Sequence, residues 1–121
     1  MMNISGVRVL YVDDQNDMCD LMVLLMGHHG VELDAVRTFD EAVKVLHLYK
    51  VLITDQDLSC CGKNGNLLAK MFKELRPDGF VIMVTGWGQE DRPVDEHINT
   101  CMIKPIDLPT MVKAVQDAQA A

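Results

Sequence analysis

The sequence predicts an α/β fold: a doubly wound, five-stranded parallel sheet with five helices on its two faces. Three observations predict it. Short apolar runs recur along the chain in the manner of strands buried on both faces. Stretches with apolar residues at helical spacing separate them, which suits right-handed βαβ crossovers. Four of the apolar runs stop at polar, chemically capable residues, namely Asp13-Asp14, Asp55, Thr85 and Lys104.

The first strand is VRVLYV, Val7 to Val12, closed by Asp13-Asp14. Gln15 to His28 follows as a helix, because Met18, Leu21, Met22, Leu25 and Met26 recur three and four residues apart. Gly30 is its stop signal. His28 and His29 suit a helix C-terminus, where partial negative charge favours cations. VELDAV, Val31 to Val36, alternates apolar and polar residues as a half-covered or edge strand does. Thr38, with Glu41 three residues later, forms a capping-box signature. The helix it opens carries Ala42, Val43, Val45, Leu46 and Tyr49, and Lys50 leads into the third strand, VLIT, which ends at Asp55.

Asn66 to Leu75 reads as a third helix with Leu67, Leu68, Met71, Phe72 and Leu75 facing inward, ended by Pro77 and Gly79. FVIMV is the fourth strand and stops at Thr85-Gly86. The polar segment GWGQEDRPVDEHI, with two glycines and Pro93, predicts a loop holding a short, weak fourth helix. CMI, Cys101 to Ile103, is the fifth strand, stopping at Lys104-Pro105. The fifth helix runs from Asp107 to about Ala118, with Leu108, Met111, Val112 and Val115 on its apolar side; Asp107 suits the cap and Pro109 the first turn.

A chain of 121 residues suits one domain, residues 1–121, which buries roughly two-thirds of its unfolded surface. At 49% hydrophobic and 24% charged it can build a core without staples. Its formal charge of -7 leaves no footprint for direct nucleic-acid binding. No run approaches the roughly 20 apolar residues of a membrane span, and no leader precedes the first strand, so a cytoplasmic setting is expected. Cys19, Cys60, Cys61 and Cys101 lack the paired spacing of a zinc site and read as reduced thiols. Cys19 and Cys101 are expected to pack as small hydrophobes, and Cys60-Cys61 to fall in a loop.

Parallel strands share one carboxyl-end rim, where ligands collect. A strand order of 2-1-3-4-5 would set the first and third strands side by side and bring Asp13, Asp14 and Asp55 together. Carboxylates that close repel by roughly 4 kcal/mol per pair at 4 Å and an effective dielectric of 20, so a cation belongs among them. Oxygen-only ligands on an open rim suit Mg²⁺. Asp55 could then attack phosphorus, Thr85 could donate to a phosphoryl oxygen, and Lys104 could supply a point charge to another.

In its motifs the chain resembles the response-regulator receiver domains of two-component signalling, the CheY-like family. The resemblance rests on Asp13-Asp14, ITD ending at Asp55, TGWG from Thr85 and Lys104-Pro105, and it covers essentially the whole length. It implies a flavodoxin-like sheet of order 2-1-3-4-5 and a non-enzymatic regulator. By resemblance Asp55 is the phosphoacceptor, Asp14 a direct Mg²⁺ ligand, Asp13 a ligand through water, and the backbone carbonyl of Asp57 a further ligand. The implied donor is a histidine kinase or a histidine phosphotransfer protein. Phosphorylation would shift the face formed by the fourth helix, fifth strand and fifth helix and so control a downstream output protein or domain.

Three departures stand out. The stretch from Asp55 to Gly65, DQDLSCCGKNG, is two residues longer than the family's usual turn and lacks its proline. Counting from Asp57 would restore the spacing, but Asp55 directly ends the apolar strand. Cys101 stands where the family commonly has an aromatic switch residue, and the side chain of Asp57 could approach an attacking water. Two other readings stand beside this one: a degenerate receiver that binds partners without phosphorylation, and a small haloacid-dehalogenase-type phosphatase built on the DQD motif.

Overall fold

A computed structural model describes residues 8–56, 58, 64–86 and 97–120. Five strands, β1 (Val9–Val12), β2 (Leu33–Val36), β3 (Val51–Asp55), β4 (Phe80–Thr85) and β5 (Thr100–Ile103), form one parallel sheet in the order β2-β1-β3-β4-β5. Among the described residues four α-helices flank it: α1 (Asn16–His28), α2 (Phe39–Val45), α3 (Gly65–Leu75) and α4 (Leu108–Ala120). A 3₁₀ turn, Leu46–Leu48, extends α2. The remaining predicted helix, between Gly86 and Ile98, falls mostly outside the described residues.

β1 and β3 are buried at every position, which is why their sequences carry no polar alternation. Successive side chains point to opposite faces and divide the core in two. Val9, Tyr11, Ile53, Ile82 and Val84 pack with Met22 and Met26 of α1 and Met111 and Val115 of α4. Leu10, Val12, Leu52, Val81 and Met83 pack with Phe39 and Ala42 of α2 and Leu68 and Phe72 of α3. Each fully buried Val, Leu, Ile, Met or Phe among them stabilises the fold by about 1.5–3 kcal/mol.

Local signals set the helix ends. Gly30 adopts φ 75°, and the Gly30 and Val31 N–H groups bond to Gly27 O and Met26 O, a Schellman motif that needs the left-handed glycine. The Thr38 hydroxyl accepts from Glu41 N at 3.1 Å, while the Glu41 carboxylate reaches back to Arg37 N at 3.1 Å. At α4 the Asp107 carbonyl accepts from Met111 N, and its carboxylate accepts from the Thr110 hydroxyl.

Several sequence expectations need correction. The regular part of β2 begins at Leu33 rather than Val31, where the chain is still turning out of the Schellman motif. Leu21, Leu67 and Leu75 are exposed, because each helix rests on the sheet through a stripe narrower than its full apolar set; α3 buries Leu68, Ala69 and Phe72 instead. Cys19 packs in the core as predicted, whereas Cys101 is exposed. Its strand lies at the sheet edge, with Thr100 and Met102 only half-buried and Ile103 also exposed.

At the opposite end of the sheet, Tyr49 and Arg8 both donate to Asp34 Oδ2, at 2.7 and 2.8 Å, and the Arg8 guanidinium lies 5.0 Å over the Tyr49 ring. Burial first, then the hydrogen bond to Asp34 and its charge, push the Tyr49 hydroxyl up to about 12. Its folded pKa is raised above the ordinary value of about 10. Its contribution to stability is therefore complete below about pH 10 and is lost as pH rises toward 12. Urea denaturation across that window is expected to show a steeper loss for the natural chain than for Tyr49→Phe; parallel curves would contradict this assignment.

Candidate functional site

Because the strands are parallel, their carboxyl ends share one rim, and the register decides which residues meet there. Val12 pairs with Thr54, so Asp13 emerges beside Asp55 one step further on. Asp55 pairs with Val84 and Thr85 with Ile103, which places Thr85 and then Lys104 next along the rim. The carboxylates of Asp13, Asp14 and Asp55 lie within 4.8 Å of one another. Asp13 and Asp55 are buried, at 2% and 5% exposure, and Asp14 is exposed.

Buried carboxylates are costly unless hydrogen-bonded, and these are held. Asp13 Oδ2 accepts from the Tyr11 hydroxyl at 2.7 Å, and Oδ1 accepts from Gln15 N at 3.0 Å. Its backbone is fixed by Asp13 N to Val36 O at 3.2 Å and by the Cys19 thiol donating to Asp13 O at 3.3 Å. Burial pushes the Tyr11 hydroxyl well above its ordinary range, and the Asp13 hydrogen bond pushes it further, so it stays a donor at neutral pH.

Lys104 Nζ lies 2.5 Å from Asp55 Oδ2. Partial burial works against the ammonium charge, but the Asp55 hydrogen bond and the charges of Asp55, Asp13 and Asp14 outweigh it and raise the pKa. Three carboxylates thus crowd together at the rim, with the Lys104 ammonium paired to Asp55. The set could hold a metal ion. Oxygen donors alone, with the exposed Asp14 open to water, fit a hard divalent cation.

Gly65 fixes where the chain returns to the rim. A Cβ there would stand 2.3 Å from the Asp55 carbonyl oxygen, and Gly65 N donates to Gln56 O at 2.9 Å. Asn64 caps α3 through Leu67 N at 3.0 Å. Gly65 therefore packs against the end of β3, which is at Asp55 as the apolar run predicts. Asp57, Cys60 and Cys61 lie outside the described residues.

A family model for the response regulator receiver domain matches residues 9–116. The chain belongs to that family. Solved structures agree in fold. A response regulator receiver domain protein from Clostridium thermocellum is 21% identical, with a TM-score of 0.83 and 94% of each chain covered. A CheY-like receiver domain protein from Methanospirillum hungatei is 20% identical, with a TM-score of 0.80, covering 96% of this chain and 95% of that one. NtrX from Brucella abortus is 21% identical, with a TM-score of 0.84, over 95% of this chain but 27% of its own. No curated protein matches the sequence.

In this receiver the Thr85 side chain is fully buried, and its hydroxyl donates to Met102 O at 3.4 Å. It is thus turned toward β5, while Lys104 engages Asp55. The peptide bond between Lys104 and Pro105 is cis. A groove of about 380 Å³ runs from Asp13 and Lys104 past Met18, Leu21, Ile106 and Leu108, so an apolar trough opens beside the acids. No helix among the described residues is long and apolar enough to cross a membrane. Sequence reasoning missed Tyr11, which reads as one more core residue of β1. The signal was its spacing: residues two apart in a strand share a face, so Tyr11 and Asp13 point the same way.

Proposed function

We propose that this receiver accepts a phosphoryl group on Asp55 from a phosphohistidine of a histidine kinase or histidine phosphotransfer protein, with Mg²⁺ at Asp13, Asp14, Asp55 and the Asp57 backbone carbonyl. The observation that carries it is the buried Asp55 carboxylate, bonded to Lys104 and within 4.8 Å of two further acids. When bound, Mg²⁺ supplies positive charge that neutralises the transferring group and the acids around it.

The residues then divide the work. An Asp55 oxygen forms the new O–P bond as the P–N bond to imidazole breaks. Its electron pair stays with the imidazole nitrogen, and an acyl phosphate results. Lys104, already at 2.5 Å, follows the charge from carboxylate to phosphoryl oxygen. The 3.4 Å bond from Thr85 to Met102 O is long, so its hydroxyl gives up little in turning to a phosphoryl oxygen. That exchange loosens β4 from β5 and shifts the equilibrium of the face made by residues 86–98, β5 and α4, which controls an output protein or domain. The chain acts as a regulator rather than an enzyme, in the cytoplasm.

The test is incubation with a small acyl-phosphate donor followed by intact-protein mass measurement. One phosphoryl group is expected with Mg²⁺ present, and a chelator should slow labelling by about a hundredfold or more, as loss of several kcal/mol of charge stabilisation requires. No label in the presence of Mg²⁺ would refute the reading in favour of a phosphorylation-independent module. Continuous phosphate release would indicate a phosphatase.

A further inference from the structure

We propose that Tyr11 is a positioning residue of this site: its buried hydroxyl fixes the Asp13 carboxylate in the orientation that receives the cation. The inference rests on the acid set being the Mg²⁺ site and goes beyond it by adding a residue outside the acids, Thr85 and Lys104.

The geometry carries it. Tyr11 is 1% exposed, and its ring packs among the apolar residues shared by the sheet, α1 and α4, so the hydroxyl position is set by the core rather than by solvent. It donates to Asp13 Oδ2 at 2.7 Å while Gln15 N holds Oδ1 at 3.0 Å. With both oxygens engaged from different elements, the carboxylate cannot rotate without breaking a buried hydrogen bond. Each oxygen keeps a second lone pair, and the ligand atom of Asp13 already lies within 4.8 Å of those of Asp14 and Asp55. Asp14 is exposed. Asp13 is thus braced through both of its oxygens, and outer-shell donors of this kind orient ligands and tune the metal they hold.

The test is calorimetric titration of Mg²⁺ into the full chain without any phosphodonor, comparing the natural protein, Tyr11→Phe and Val9→Ala. Tyr11→Phe keeps the ring and removes one oxygen. Val9→Ala thins the same core layer without touching the site. Tyr11→Phe is expected to weaken Mg²⁺ binding about tenfold, the lower end for loss of an outer-shell partner. Val9→Ala should lower the melting temperature and leave the Mg²⁺ dissociation constant unchanged. Equal dissociation constants for the natural protein and Tyr11→Phe would overturn the proposal. So would equal weakening in both variants, which would mark a purely structural role. Absence of Mg²⁺ binding by the natural protein would overturn the site reading beneath it, a result distinct from either.

Discussion

Asp55→Asn is expected to accept no phosphoryl group while remaining folded. The amide carries no negative charge and its lone pair is delocalised, so no other atom at that position can replace the carboxylate as nucleophile. Stability should survive for an electrostatic reason. The substitution removes the repulsions from Asp13 and Asp14, within 4.8 Å, along with the attraction to Lys104 at 2.5 Å, contributions of opposite sign that offset one another. Lys104 is 39% exposed and Asp14 is exposed too, so solvent weakens both the attraction and that repulsion. The variant should therefore unfold in urea close to the midpoint of the natural chain in the absence of Mg²⁺, and be blank by mass measurement after the phosphodonor. Asp57→Asn, in parallel, should still be labelled. Labelling of Asp55→Asn with a blank Asp57→Asn would move the acceptor to the other register.

Gly65→Ala is expected to destabilise the protein by about 3 kcal/mol and to lower its melting temperature by about 10 °C. The added methyl would sit 2.3 Å from the Asp55 carbonyl oxygen and 3.1 Å from Gln56 Cα, both backbone atoms. Neither side yields easily. Moving the end of β3 displaces Asp55, the proposed acceptor, and moving α3 disturbs Leu68, Ala69 and Phe72, which bury its packed face. Alanine's helix propensity returns at most about 1 kcal/mol, so the clash wins. Labelling should slow as well, because the strand end carries Asp55. A Gly65→Ala chain as stable as the natural one would show that the close approach is dispensable.

The sheet was legible because its central strands are buried on both faces and stop at polar residues: VLIT before Asp55 and FVIMV before Thr85 need no tertiary information to be seen. The capping pair Thr38 and Glu41, and Gly30, marked helix ends for local reasons that the structure repeats. Strand order was not in the residues themselves. It entered with the family resemblance, and the structure has that order. What failed was anything set by neighbours. Cys101 reads as a core residue until β5 proves to be an edge strand. Leu21, Leu67 and Leu75 have helical spacing yet lie beyond the stripe that meets the sheet. Tyr11 looks apolar in a run of valines, and only the fold shows that its hydroxyl ends on Asp13. Gly65 closes a stretch whose length gave the wrong spacing from Asp55, and its contact with the Asp55 carbonyl depends on how α3 packs.

The most direct test of the account is chemical localisation of the acceptor. After incubation with Mg²⁺ and a small acyl-phosphate donor, borohydride reduces an aspartyl phosphate to homoserine with release of phosphate, and fragment-mass sequencing reads the position. Homoserine is expected at residue 55 alone, absent when a chelator replaces Mg²⁺. Homoserine at position 57, 13 or 14, or at none of them with Mg²⁺ present, would contradict it.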